Sequence, residues 1–143
     1  MARLIIGYHE GFLQLRNPTH KLLEYLRNKA TRDHQEIVKQ RKVEGGHDFY
    51  YKSRRYLLDT GQKLKRIFPG RLRVTRRLMT RDFMTAKNIY RMTVLFKMPS
   101  FKAGDTVKLH GSLVNILELQ RKVHVQETIS GRKRWCSYDE FDF

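Results

Sequence analysis

The sequence predicts an α+β protein in two parts. Residues 1–98 read as a ferredoxin-like β-α-β-β-α-β sandwich with an extra strand, and residues 99–143 as a small SH3-like or OB-like β-barrel unit. Three observations carry this. Two stretches with apolar residues at helical spacing are set between stretches that alternate apolar and polar. Gly45-Gly46 and Pro69-Gly70 punctuate the first part where turns are needed. After Pro99 the pattern changes to short alternating runs separated by Gly and Ser.

In chain order, GYHEGFLQLR (7–16) alternates and predicts a strand, with Gly11, Leu13 and Leu15 on its inner face and Phe12, Gln14 and Arg16 on the other. In NPTHKLLEYLRNKATRD (17–33), Asn17 is expected to cap a helix and Pro18 to open it; Leu22, Leu23, Leu26 and Ala30 form one apolar face. EIVKQRKVEGGHDFYYKS (36–53) predicts two strands, because Gly45-Gly46 tolerates the positive φ of a hairpin turn. SRRYLLDTGQKLKRIF (53–68) predicts a second helix, with Leu57, Leu64 and Phe68 on one stripe, ended by Pro69-Gly70. RLRVTRRLM and NIYRMTVLFKM follow as strands joined around Met84–Lys87. Four short runs then make the second unit: GDTVKLHG, LVNILELQ, KVHVQETISG and KRWCSYDEF. About 45 residues is short for a free-standing barrel, so this unit is expected to borrow a strand, dock on the first domain or be incomplete.

Charge narrows the partner class. The 143 residues carry 30 Lys and Arg against 14 Asp and Glu, net +16, with 40% apolar residues for a modest core. Residues 1–98 hold 23 basic and 8 acidic side chains, net +15, whereas residues 99–143 hold 7 and 6, net +1. Residues 52–81 alone contain 11 basic side chains against Asp59. Such a run repels itself unless an anion is present, and it gains affinity by releasing counterions from a phosphate backbone. Nucleic acid is therefore the expected partner, ahead of an anionic membrane surface. No apolar run approaches the roughly 20 residues of a membrane span, and no signal-peptide segment opens the chain, so a cytoplasmic protein without membrane partner is expected. The single cysteine, Cys136, excludes an internal disulfide and a Cys-cluster zinc site, and reads as a small hydrophobe in a strand.

Nothing in the sequence argues for catalysis. The six histidines (His9, His20, His34, His47, His110 and His124) lack ligand spacings, and His47-Asp48 has no nucleophile beside it. GRKRW (131–135) lacks the spacing of a phosphate-binding loop, and the carboxylates of DEFD (139–142) are expected in solvent. The expectation is a non-enzyme with no metal, cofactor or small-molecule substrate.

The candidate RNA-binding residues are Lys52, Arg54, Arg55, Lys63, Lys65 and Arg66 on or near the second helix, then Arg71, Arg73, Arg76, Arg77 and Arg81 on the next strand. Arg16, Phe12 and Tyr50 join them from the sheet. Alternation turns Phe49 and Tyr51 toward the helices and Tyr50 away from them, so Tyr50 and Phe12 share a face on neighbouring strands. That face either stacks RNA bases, as in RNA-binding modules of this architecture, or is covered by the extra hairpin or the barrel.

GGHDFYYKSRR, IFPGRLRVTRRLMTRD and YRMTVLFKMPSFKAGDTVKL, in this order and spacing, resemble the Nmd-three family of large-ribosomal-subunit adaptors, closest to its archaeal branch. The aspartate-plus-aromatic strand (Asp48, Phe49, Tyr50, Tyr51), the Pro69-Gly70-Arg71 break and MPSFKAGDTV (98–107) carry the likeness. The resemblance implies binding to ribosomal RNA on the intersubunit face of the large subunit, in subunit biogenesis or quality control, and nuclear export in eukaryotic relatives. The family's zinc-ribbon cysteines, second barrel and export tail have no counterpart here, which leaves open a fragment or a reduced member. A generic RNA or tRNA binder and a module for an acidic protein partner are the alternatives.

Overall fold

The computed structural model describes residues 10–82 and 87–143, and the side chains of 10–77 and 91–143. The first unit comprises β1 (Gly11–Arg16), α1 (His20–Arg32), β2 (Ile37–Val43), β3 (Gly46–Tyr51), α2 (Arg54–Ile67), β4 (Arg71–Asp82) and β5 (Lys87–Lys97). The second comprises β6 (Thr106–Leu109), β7 (Ser112–Leu119), β8 (Val123–Glu127) and β9 (Lys133–Cys136), then a short 3-10 turn, Tyr138–Glu140. The start of the first strand at residues 7–9, and most of the Met84–Lys87 turn, lie outside the described residues.

The first five strands form one sheet in the order β2-β3-β1-β5-β4, antiparallel throughout except for the parallel β1–β5 pair. A ferredoxin-like sheet would seat the strand after α2 beside β1. Here β5 takes that place and β4 is the edge. Side-chain chemistry explains the exchange: β5 buries Met92, Val94 and Phe96, whereas β4 exposes Arg73, Val74, Thr75, Arg76 and Arg77. A central strand needs an apolar inner face, and an arginine-rich strand suits an edge, where its charges blunt further pairing.

Both helices lie on one face of this sheet. Leu22, Leu23 and Leu26 of α1, with Leu57 and Leu64 of α2, pack on Leu13, Leu15, Phe49, Tyr51, Val94 and Phe96. The approach is close: a Cβ at Gly11 would collide with the Met92 carbonyl oxygen and lie 2.7 Å from Leu57 Cδ2. Lys29, only 1% exposed, ties the helices together. Its ammonium meets Asp33 at 3.0 Å and Thr60 at 3.4 Å, and lies 4.0 Å from the Tyr56 ring centroid. The Tyr56 hydroxyl also donates to Asp33 at 2.8 Å. That bond and Lys29 hold the Asp33 carboxyl below its ordinary range.

The helix starts follow local chemistry with one shift. Thr19, not Asn17, caps α1: its hydroxyl accepts from the Leu22 amide at 3.3 Å, and the helix opens at His20 rather than at Pro18. Asn17 sits at φ 55 and spends its amide on the Met98 and Pro99 carbonyls, at 3.4 and 3.0 Å. Ser53 caps α2 through the Tyr56 amide. Gly45, at φ 79, makes the β2–β3 turn that the glycine pair predicts.

The second unit is an antiparallel meander, β6-β7-β8-β9, with its own core of Leu109, Val114, Ile116, Val123, Val125 and Cys136 under Phe101, Tyr138 and Phe141. Among the described residues β6 and β9 have one partner strand each, so the expected SH3-like or OB-like closure is not seen. Four short strands are too few to close, and the aromatic residues cover the inner face instead. Cys136 is buried as expected, and burial raises its thiol pKa. Arg71 links the units: its guanidinium donates to the Phe141 and Phe143 carbonyls at 3.1 and 2.8 Å and lies 4.6 Å from the Phe143 ring centroid.

Candidate nucleic-acid interface

With both helices on one side, the other side of the five-stranded sheet carries Phe12 and Tyr50. They are directly opposite on β1 and β3, stacked with centroids 5.3 Å apart and planes 14° from parallel. Both rings are part-exposed, while Phe49 and Tyr51, one residue to either side, are 0% and 1% exposed. The alternation read from the sequence is therefore observed, and the described backbone of the extra strand joins the sheet.

Register shows what surrounds the pair. Lys39 and Arg41 of β2 pair with Tyr50 and Asp48, and Lys39 stands 5.9 Å from the Tyr50 ring centroid. On the other side Thr93 and Leu95 of β5 pair with Phe12 and Gln14, and Arg73 and Arg77 of β4 pair with Leu95 and Arg91. Cations thus border the aromatic pair on both edges of the sheet. Asp48 is the one acidic side chain described on these strands' outer face, and Arg16 neutralises it at 3.0 Å. Such a surface offers ring faces to bases and guanidinium and ammonium groups to phosphates.

The residues predicted from sequence divide between two surfaces. Arg16, Arg73, Arg77, Phe12 and Tyr50 belong to the open sheet face, and exposed Lys52 directly follows β3. Arg54, Arg55, Lys65 and Arg66 are exposed on α2, on the opposite side of the sheet. Lys63 shares that helix but pairs with Asp59 at 3.4 Å. Arg76 is exposed but registered with Met92, on the helix side. Arg71 lies at the joint between the units, where its guanidinium donates to the Phe141 and Phe143 carbonyls. The Arg81 side chain lies outside the described residues.

Four basic residues of the open face escaped the sequence reading: Lys39, Arg41, Arg91 and Lys97. Their signal is the period-2 alternation of β2 and β5, which becomes informative once β5 is known to lie beside β1. The α2 surface has its own signature. Arg54 and Arg55 occupy a first turn with no acidic residue, where the helix dipole favours anions. The Glu10 carboxylate accepts from the Arg54 amide at 2.8 Å and partly offsets this.

His47 and Asp48 turn to opposite faces of β3, as alternation requires, so they do not form a base with its orienting carboxylate. Asp48 goes to Arg16; burial first, then Arg27 and Lys42, lower the His47 pKa and keep the ring neutral near pH 7. Among the described residues no three His, Cys, Asp or Glu side chains converge as metal ligands. No helix among them is long and apolar enough to cross a membrane.

Comparison with known proteins gives one family. The model for NMD3, second domain, matches residues 8–98, the whole of the first unit described above, and stops at the Pro99 break. No curated protein matches the chain.

Proposed function

The chain belongs to the NMD3 family, whose model spans well over half of it, and from that premise we propose that it is a non-enzymatic factor binding ribosomal RNA of the large subunit. The open sheet face would be its main contact, in subunit biogenesis or quality control. The observation that carries this reading is the Phe12–Tyr50 stack set between the cationic edges of β2 and β4. Stacked rings accept bases of any sequence, and Lys39, Arg41, Arg73 and Arg77 supply the phosphate contacts that a folded RNA surface demands. The α2 cations add a second, purely electrostatic surface on the other side of the molecule.

Co-sedimentation with purified subunits tests the proposal. The wild-type chain should pellet with large subunits and not with small ones. Lys39→Glu, Arg41→Glu, Arg73→Glu and Arg77→Glu together should release it while leaving the circular dichroism unchanged. Equal pelleting with both subunits would favour a generic RNA or tRNA binder, and pelleting with neither an acidic protein partner.

A further inference from the structure

The second unit carries a stacked aromatic pair of its own. His124 and Trp135 are directly opposite on β8 and β9, with centroids 4.4 Å apart and planes 9° from parallel. One face of the indole is thus supported, yet Trp135 is 47% exposed, unusual for so large an apolar side chain. It lines a cleft of about 600 Å³ between the two units, together with Lys65 of α2, Gln120, Arg121 and Lys122 of the β7–β8 turn, and Ser137. Among the described residues Lys65, Arg121 and Lys122 form no ion pair.

The turn that carries two of these cations is held in place. The buried Tyr138 hydroxyl donates to the Gln120 carbonyl at 2.6 Å, and the Gln120 amide N–H donates to the Lys122 carbonyl at 3.0 Å. Glu118, registered with His124, is the acidic neighbour, and the Gln120 side-chain amide engages it. A supported indole, a fixed pair of cations and a third from the other unit suit a flat ring with charge on both sides. An acidic peptide would use the three cations without the indole plate, whereas an unpaired nucleotide uses both.

We propose that this cleft is a second RNA contact, taking an unpaired base against Trp135 and its flanking phosphates on Lys65, Arg121 and Lys122. The proposal rests on the RNA-binding reading above, and deepens it by assigning an unpaired nucleotide to a site outside the family match.

Trp135 is the only tryptophan in the chain, so its fluorescence reports this cleft alone. The full chain is titrated with a labelled eight-nucleotide oligoadenylate, reading RNA anisotropy and tryptophan emission together. Emission should be quenched with the same midpoint as the anisotropy change. Trp135→Ala should weaken binding about tenfold, within the range for base–aromatic stacking. Arg121→Glu with Lys122→Glu, both on an exposed turn, should remove the quenching while the circular dichroism is unchanged. Full anisotropy binding with unquenched emission and unaltered Trp135→Ala affinity would overturn the cleft and leave the RNA reading standing. Binding on neither readout would overturn both. Equal quenching by duplex RNA or by polyglutamate would overturn the assignment of an unpaired base.

Discussion

Phe12–Tyr50 and His124–Trp135 are nearly the same object in two places. Each is a cross-strand pair in direct register, close to parallel, on the outer face of an antiparallel ladder. What differs is the source of the charge around them. The first pair has cations on the flanking strands of its own sheet, in a segment of net +15. The second sits in a segment of net +1 and borrows Lys65 from α2 across the joint between the units. Strand pairing makes an aromatic plate anywhere; topology and docking decide whether it becomes a site. The first should therefore depend on the sheet and its core alone, and the second on how the units are held together.

The largest expected effect lies in the layer beneath the first pair. Phe49→Ala should cost about 3–5 kcal/mol in urea unfolding, since it empties a fully buried ring position. Tyr50→Ala, next door on the part-exposed face, should cost less, about 1–2 kcal/mol, for the lost stack on Phe12 and the Lys39 contact. Equal losses at the two positions would mean that the outer face is packed, and the first plate would not be a site.

Charge comes next. Reversing Lys39, Arg41, Arg73 and Arg77 should flatten the salt dependence of RNA binding by about 0.7 in log–log slope for each phosphate no longer neutralised. Reversing Arg54, Arg55, Lys65 and Arg66 to Glu lowers affinity too, but only this set should also alter tryptophan quenching, because Lys65 reaches the second cleft. If both sets act identically on both readouts, the two surfaces are not separate.

A third effect isolates the joint. Arg71→Ala removes two charge-assisted hydrogen bonds to Phe141 and Phe143 and the stacking of the guanidinium on the Phe143 ring, at a cost of about 1–3 kcal/mol to the docking of the units. Quenching at Trp135 should weaken, whereas RNA binding through Phe12 and Tyr50 should persist in Trp135→Ala, Arg71→Ala. Undiminished quenching in Arg71→Ala would show that the cleft needs no clamp.

Much of this was legible in the sequence wherever one periodicity decides the outcome. Leu13 with Leu15, and Phe49 with Tyr51, named the buried face of β1 and β3, and Leu22, Leu26, Leu57 and Leu64 named the helix stripes. Alternation assigns a face but not a neighbour, so β5 beside β1 could not be read, and Arg91 and Lys97 went with it. Composition added Arg54 to Arg77 into one basic run, although folding turns α2 and the outer face of β4 to opposite sides. Arg71 and Asn17 depend on carbonyls roughly 70 and 80 residues away, which no local pattern records. In the second unit a balanced total concealed Arg121 and Lys122 beside Trp135.

The smallest effects compare two buried tyrosine hydroxyls, one in each unit. Tyr138 donates to the Gln120 carbonyl at 2.6 Å, fixing the turn that carries Arg121 and Lys122. Tyr51 is 1% exposed, and its hydroxyl has no hydrogen-bond partner among the described residues. Burial raises the pKa of both, so each stays neutral near pH 7. Tyr138→Phe should cost about 1 kcal/mol, because it deletes one bond whose acceptor, on an exposed residue, is returned to water. It should also loosen the turn and reduce quenching slightly. Tyr51→Phe removes a desolvated hydroxyl that gains nothing in return, so stability should stay level or rise by up to about 1 kcal/mol. RNA binding should not change, since the ring remains under the sheet. A destabilised Tyr51→Phe would reveal a partner for that hydroxyl, and the core beneath the first plate would then be less purely apolar than the packing of Leu13, Phe49 and Val94 implies.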